Sequence, residues 1–226
     1  TKLYFVEVGA PDMHEPTGNL ERLERALSGQ WSMAGIQIEL TVLQQLQPAL
    51  RKGNWQVTVA LYQDHTSPKA QVLQVWPGLH EDGIFGLAID LGSTTVAAHL
   101  TDLQTGAVVA SSGVMNPQIR FGEDLMSRVS YAMMNSGGDQ EMTAAVREAI
   151  NALADDLAKQ LGCSTAQLLE VVFVCNPVMH HLLLGVDPVE LGQAPFALAT
   201  SDSLSLKAAD LDLTALNPAA RCYILP

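Results

Sequence analysis

The chain has 226 residues, 48% of them hydrophobic and 16% charged, which is enough to close a core and too apolar for a disordered segment. Twelve Lys and Arg face 24 Asp and Glu, for a net charge of −12. A field of that sign repels phosphate backbones and excludes nucleic-acid binding through a basic face. Most of the excess acid lies in residues 84–226, with 15 acidic and 6 basic side chains, against 9 and 6 in residues 1–83. The opening residues, TKLYFVEVGAPDMHEP, lack the basic start and long apolar run of a secretory signal. No stretch reaches the roughly 18 uninterrupted apolar residues of a membrane span. Cys163, Cys175 and Cys222 are scattered, without a CxxC or a Cys/His spacing that suits zinc or an iron–sulfur cluster. A soluble, cytoplasmic chain with no membrane contact is expected.

The first unit opens with an alternating run, Leu3 to Val8, that suits a strand. Pro11, Pro16 and Gly18 break it. Thr17 is then placed to cap a helix whose apolar positions are Leu20, Leu23, Ala26 and Leu27. Ile36, Ile38 and Leu40 alternate again. TVLQQLQPALRKG reads as a short helix interrupted at Pro48 and stopped by Gly53. WQVTVALY and AQVLQVW are strands on either side of a polar turn around His65–Pro68. This predicts a small α+β domain over residues 1–79, with a linker at 80–83 after Trp76-Pro77-Gly78.

The second unit covers residues 84–226. GIFGLAIDL is nearly continuous in its apolar character, the pattern of a strand buried on both faces. TTVAAHLTDL and AVVASSGVM follow after tight turns, predicting three consecutive antiparallel strands. A helix is expected over Glu123–Met134. A second one carries Met142, Val146, Ala149, Ile150, Leu153, Leu157 and Leu161 on one stripe and ends at Gly162. LLEVVFVC returns as a strand parallel to the first, PVMHHLLLG forms a short helix, and Cys222–Leu225 is a candidate further strand. The expected fold class is α/β, a ribonuclease-H-like half-domain of β-β-β-α-β-α order behind the small α+β domain.

The chemistry concentrates at Ile89-Asp90-Leu91-Gly92-Ser93-Thr94-Thr95. A carboxylate at the end of a buried strand is costly unless a metal or donors compensate it. Gly92 lets a ligand approach the main chain, and Ser93, Thr94 and Thr95 offer hydroxyls and backbone N–H groups to phosphate oxygens. Asp90 would hold Mg²⁺ through water. An ordinary hairpin turn is the alternative.

GLAIDLGSTTVAAHLTDLQTG resembles the first phosphate motif of the superfamily of actin, sugar and acetate kinases and heat-shock chaperones (ASKHA). MNPQIRFGEDLMSRVSYA and CNPVMHHLLLGVDPVELGQAPF, with LYFVEVGAPDM, NLERLERAL and LTVLQQLQPALRKGNWQVTVAL in the first unit, resemble the ATP-dependent reductive activators of corrinoid proteins. The resemblance covers nearly the whole chain. It implies a longer protein with a ferredoxin-like [2Fe–2S] domain, a linker, a middle domain and a two-lobed actin-like ATPase, which uses ATP to reduce cob(II) to cob(I) in a corrinoid (cobalamin-binding) partner. Asp90 is then similar to the magnesium-organising acid and Gly92, Ser93, Thr94 and Thr95 to the phosphate loop, half of a Mg·ATP site. The cluster cysteines are not in this chain, and residues 84–226 suffice for one lobe only, so the chain is read as a fragment.

Other residues have two readings each. Asn116 and Asp124, near the end of the third strand, either line a cleft or cap the following turn and helix, with Asp124 pairing with Arg128 at i,i+4. Asn176 either meets water or phosphate or caps the helix at Pro177. His180 and His181 point about 100° apart on a helix and are read as packing or surface residues rather than metal ligands. A reactive Cys175 is not expected, and Asp155-Asp156 reads as a solvated helix face. Two rival functions stand beside corrinoid activation: an acetate- or sugar-like kinase, and a non-catalytic interaction lobe. Self-association as a homodimer is left open.

Overall fold

The structure is a computed structural model that describes residues 1–33, 35–64 and 67–225. It divides into two compact units, Thr1–Gly83 and Ile84–Pro226.

The first unit is a four-stranded sheet with two helices. Its elements are β1 (Lys2–Glu7), α1 (Asn19–Trp31), β2 (Ile36–Ile38), α2 (Leu40–Lys52), β3 (Gln56–Tyr62) and β4 (Ala70–Pro77), with strands in the order β1-β3-β4-β2. β3 pairs antiparallel with β1 and β4, and β2 joins β4 in parallel. Leu23 and Leu27 of α1, and Val42, Leu46 and Leu50 of α2, are buried with Val57, Val59, Leu73 and Val75 of the sheet. Each such side chain contributes about 1.5–3 kcal/mol on burial.

Three expectations fail here. Thr17 does not cap α1; the N-cap is Gly18, with no side-chain bond. The Thr17 carbonyl instead accepts from Arg22 Nε at 3.0 Å, and Arg22 also reaches the carbonyls of Ala10 and Glu15. A buried guanidinium thus ties down the proline-rich loop before the helix, a job that a lone threonine hydroxyl cannot do. Pro48 does not interrupt α2, which runs through it. Pro48 is exposed, as is Gln44 one turn earlier, so the carbonyl that loses its N–H partner faces water. Leu40 belongs to α2 rather than to the alternating strand and is exposed. Of the polar turn at His65–Pro68, His65 and Thr66 lie outside the described residues.

The second unit has a six-stranded mixed sheet. Its elements are β5 (Phe85–Leu91), β6 (Thr95–Asp102), β7 (Val108–Met115), α3 (Leu125–Met134), α4 (Gly138–Leu161), β8 (Leu168–Cys175), α5 (Pro177–Leu184), β9 (Leu204–Lys207) and β10 (Arg221–Ile224). The order is β7-β6-β5-β8-β10-β9. β5, β6 and β7 are antiparallel neighbours; β8 runs parallel to β5, and β10 parallel to β8. The expected β-β-β-α-β-α order is therefore found. The short edge strand β9, antiparallel to β10, is an addition that sequence reading missed.

Met142, Val146, Ile150, Leu153 and Leu157 of the α4 stripe are buried in the same core as Leu87, Ile89, Leu91, Val171 and Phe173, whereas Ala149 is half-buried. Gly162 ends α4 in the left-handed region, φ 74°, where a side chain would be strained. Leu161, expected on the buried stripe, is exposed.

β5 is not buried on both faces. Leu87, Ile89 and Leu91 point into the core, whereas Ala88 and Asp90 are exposed. Their register partners Val172 and Val174 on β8 are 37% and 50% exposed. An unbroken apolar run misleads here because Ala and Val tolerate an open sheet face.

Candidate functional site

β5 and β8 are parallel and in register, Leu91 opposite Cys175, so the turn after β5 and the turn after β8 emerge at the same edge of the sheet. The first is the Gly92–Thr95 hairpin and the second is Asn176, the N-cap of α5.

The hairpin closes with the Gly92 N–H donating to the Thr95 carbonyl at 3.0 Å. A Cβ on Gly92 would meet that same oxygen at 2.8 Å. Glycine is therefore required by the turn itself, a reason more local than the ligand access that the motif suggested.

Three successive peptide planes of the turn are fixed from the interior. Asn116 Nδ2 donates to the Gly92 carbonyl at 2.8 Å, Arg128 Nη2 to the Ser93 carbonyl, and the Asn116 main-chain N–H to the Thr94 carbonyl at 2.8 Å. In a planar trans peptide the N–H points opposite to the C=O. Anchoring these carbonyls therefore turns the N–H groups of Ser93, Thr94 and Thr95 away from the anchors. Those of Ser93 and Thr94 donate to no acceptor among the described residues. Thr94 and Thr95 are exposed, and Ser93 is half-buried. Consecutive outward N–H groups beside hydroxyls can accept anionic oxygens.

Behind the turn lies a buried polar network. Asn116, Gln118 and Arg128 are fully buried. Asn116 Oδ1 accepts the Gln118 N–H at 2.9 Å, and Gln118 Nε2 donates to the Met142 carbonyl of α4 at 2.9 Å. Arg128 Nε donates to the Gly122 carbonyl at 2.9 Å, and its Nη1 to Gln118 Oε1 at 3.4 Å and Met179 Sδ at 3.2 Å. Asn116 Nδ2 also approaches Met179 Sδ, at 3.7 Å. Burial pulls the Arg128 guanidinium below its ordinary pKa, with nearby Asp124 acting against that pull.

Asp90 stands on the open face, exposed, opposite Ala97 and Val174. The cost of burying its carboxylate therefore does not arise, and the expectation that a metal must compensate that cost falls away. An exposed carboxylate beside outward N–H groups can still hold a hydrated cation.

Asp124 is placed differently from the expectation. The helix begins at Leu125 rather than Glu123, with Asp124 as its N-cap; Asp124 Oδ1 accepts the Ser127 N–H at 2.7 Å, and that capping holds its carboxyl below the usual range. The i,i+4 partnership with Arg128 is not made, because the guanidinium turns inward to carbonyls and sulfur. Asp124 meets the hairpin only through Arg128, one turn along its helix. Asn176 Oδ1 accepts the Met179 N–H at 3.0 Å, which is the capping role.

Gln118 is the residue that sequence reading missed, and Arg128 enters that reading only as a partner of Asp124 or as part of a surface beside the cleft, not as a buried anchor of the hairpin. The signal was present: Leu125, Arg128, Val129 and Ala132 share one helical stripe, which puts the arginine on the buried side of α3.

His180 and His181 are both buried. His181 Nδ1 meets the Pro177 carbonyl at 2.8 Å and its Nε2 accepts the Ala199 N–H at 3.1 Å, which sets the neutral Nδ1–H tautomer. No group of three or more His, Cys, Asp or Glu suited to a metal occurs among the described residues. Burial pushes the Cys175 thiol up to about 11, with Asp90 adding to it, and Cys222 up to about 12. Asp155 and Asp156 are exposed, as a solvated face requires. A cavity of about 620 Å³ elsewhere in the unit, lined in part by Thr143, Arg147, Asn151 and Asp212, holds none of the predicted site residues. No described helix is long and apolar enough to cross a membrane.

Comparison with known proteins gives concordant matches. The family model described as "RACo middle region" matches residues 85–226, and that described as "RACo linker region" matches residues 1–82. The corrinoid activation enzyme RamQ of Eubacterium limosum is 32% identical over 146 residues, which are 65% of this chain and 24% of that protein. A solved structure of a reductive activator for corrinoid, iron–sulfur protein superposes with a TM-score of 0.83 at 31% identity, covering all of this chain and 35% of the other. The chain thus spans about a quarter of the curated relative and about a third of the solved one.

Proposed function

We propose, for a chain that belongs to the RACo family through its linker and middle regions, that the Asp90–Thr95 hairpin is one half of a Mg·ATP site in an ATP-dependent reductive activator of a corrinoid protein. Its relatives are named as a corrinoid activation enzyme and as a reductive activator for corrinoid, iron–sulfur protein, and in this reading residues 84–226 are one lobe of an actin-like, ASKHA-type ATPase. Membership leaves the small-molecule kinase reading without support.

The observation that carries the nucleotide reading is the set of three anchored peptide planes at Gly92, Ser93 and Thr94. Donors aimed outward before any ligand arrives cost no reorganisation on binding. In this reading the Ser93 and Thr94 N–H groups and the hydroxyls of Ser93, Thr94 and Thr95 bind phosphate oxygens. Asp90 orients the water shell of Mg²⁺. When bound, Mg·ATP supplies the phosphoanhydride whose hydrolysis drives the uphill reduction of cob(II) to cob(I).

The electron enters from outside these residues. Cys163, Cys175 and Cys222 are free thiols, and no described set of side chains could ligate a [2Fe–2S] cluster. The reading places that cluster in another segment of the same protein. Nucleotide binding would then act by favouring one of two states of the complex with the corrinoid partner.

The test is calorimetric titration of the full-length protein containing this chain with Mg·ATP, beside its Asp90→Asn variant. The expected result is binding that weakens at least tenfold in the variant, with iron present in the native protein. Unchanged affinity in a folded variant excludes the hairpin as the phosphate site.

A further inference from the structure

We propose that Arg128 is the positioning residue of the phosphate hairpin, a fully buried cation that fixes the Ser93–Thr94 peptide and couples occupancy of the turn to α3. The inference rests on the nucleotide reading above.

The case starts with the cost of burying arginine. A guanidinium removed from water is expensive unless its donors are satisfied. Arg128 is fully buried, yet no carboxylate takes its charge. Its partners are two main-chain carbonyls, one side-chain amide oxygen and one thioether: Ser93, Gly122, Gln118 and Met179. A structural ion pair was available, because Asp124 lies one turn away on the same helix, and it is not made. The positive charge thus has no carboxylate in contact with it and feels Asp124 only from a distance, directly behind a turn whose N–H groups point the other way. A buried cation with no contacting carboxylate favours an anion on the far side of the turn.

The geometry also selects which contact matters. The Gly122 and Gln118 partners belong to the segment leading into α3 and hold the guanidinium in place. Gly122 itself has no room for a side chain, since a Cβ would meet the Arg128 main-chain nitrogen at 2.7 Å. With the fork so held, two contacts reach out of the local segment, to Met179 Sδ, 51 residues away, and to the Ser93 carbonyl, 35 residues away, and the bond to Ser93 is the one that enters the hairpin. It sets the orientation of the Thr94 N–H. Any ligand that pulls on the Ser93–Thr94 peptide pulls on Arg128, and through it on the first turn of α3.

The test uses the full-length protein with Mg·ATP, Mg·ADP and adenosine as probes, in the unmodified protein and in Arg128→Gln and Arg128→Lys. Expected are a tenfold or greater weakening of Mg·ATP and Mg·ADP in R128Q, a smaller loss in R128K, and unchanged adenosine affinity. A merely structural role would weaken all three ligands alike, and that outcome overturns the proposal, as does wild-type Mg·ATP affinity in a folded R128Q. Hydrogen exchange on the unmodified protein decides the matter even if both variants fail to fold. Mg·ATP should protect peptides spanning 90–95 and 121–129 together; protection of 90–95 alone overturns the coupling. If Asp90→Asn binds Mg·ATP normally and 90–95 gains no protection, the nucleotide reading has failed instead.

Discussion

Arg128 and Asn116 share an acceptor: the thioether sulfur of Met179 lies 3.2 Å from Arg128 Nη1 and 3.7 Å from Asn116 Nδ2. The same two side chains carry the anchors of the hairpin, so α5, which supplies Met179, and the turn after β5 are held by one pair of donors. Disturbing either donor should therefore be felt at both places.

Asn116→Ala removes the donor to the part-buried Gly92 carbonyl and the acceptor of the buried Gln118 N–H. Each group left unsatisfied costs about 1–3 kcal/mol, so we expect a loss of about 2–4 kcal/mol in urea unfolding. Mg·ATP binding should weaken in parallel, because the Gly92–Ser93 peptide is released. A loss below about 0.5 kcal/mol would show that the network does not need Asn116.

Gly92→Ala places a methyl group 2.8 Å from the Thr95 carbonyl, a main-chain atom that cannot step aside without opening the turn. The expected outcome is a destabilised hairpin with faster amide exchange at residues 90–96 and lost Mg·ATP binding. Gly106→Ala, at a turn with nothing within 4 Å of the new Cβ but φ +77°, controls for backbone strain alone and should leave nucleotide binding intact.

His180 predicts a pH dependence. Its pKa is lowered by burial, with His181 adding to the effect, so the folded protein holds fewer protons than the unfolded chain, whose imidazole titrates near 6.5. Stability from this group is full above that value and declines as pH falls through 6.5 toward the lower folded pKa. Urea midpoints measured between pH 8 and pH 5 should fall on acidification, and His180→Phe should flatten the slope. A slope unchanged by the substitution would assign it to other groups.

The cysteines should be poor nucleophiles in the folded state. With Cys175 and Cys222 pushed up to about 11 and about 12, the thiolate fraction at pH 8 is on the order of one in a thousand or less. Burial raises Cys163 as well. Labelling with iodoacetamide at pH 8 should be slow natively and complete in denaturant. Rapid native alkylation of Cys175 would contradict its burial.

The hairpin was legible in the sequence because its determinants are local: a glycine that the turn cannot replace and hydroxyls at consecutive positions. The α4 stripe was legible for the same reason, as Met142 to Leu157 recur at helical spacing. What failed was longer-ranged. Asp124 offered Arg128 a partner four residues away, and that cheap local explanation hid an arginine whose partners lie at Ser93 and Met179. Asn116 looked like a cap or cleft residue; its capping of Gln118 was readable, but its bond to Gly92 spans 24 residues. Pro48 misled because a break in the helix ladder costs little where water replaces the missing donor.

The sulfur of Met179 has a chemical consequence of its own. As a thioether it is a weak, soft acceptor for the Asn116 and Arg128 donors, and it has no exposure to solvent. Peroxide can reach it only when this part of the fold opens. Sulfoxide would replace a compliant contact with a bulkier, strongly polar S=O wedged between the two anchors. Oxidation at Met179 would then record openings of the unit rather than surface chemistry, and each event would leave the turn harder to close again.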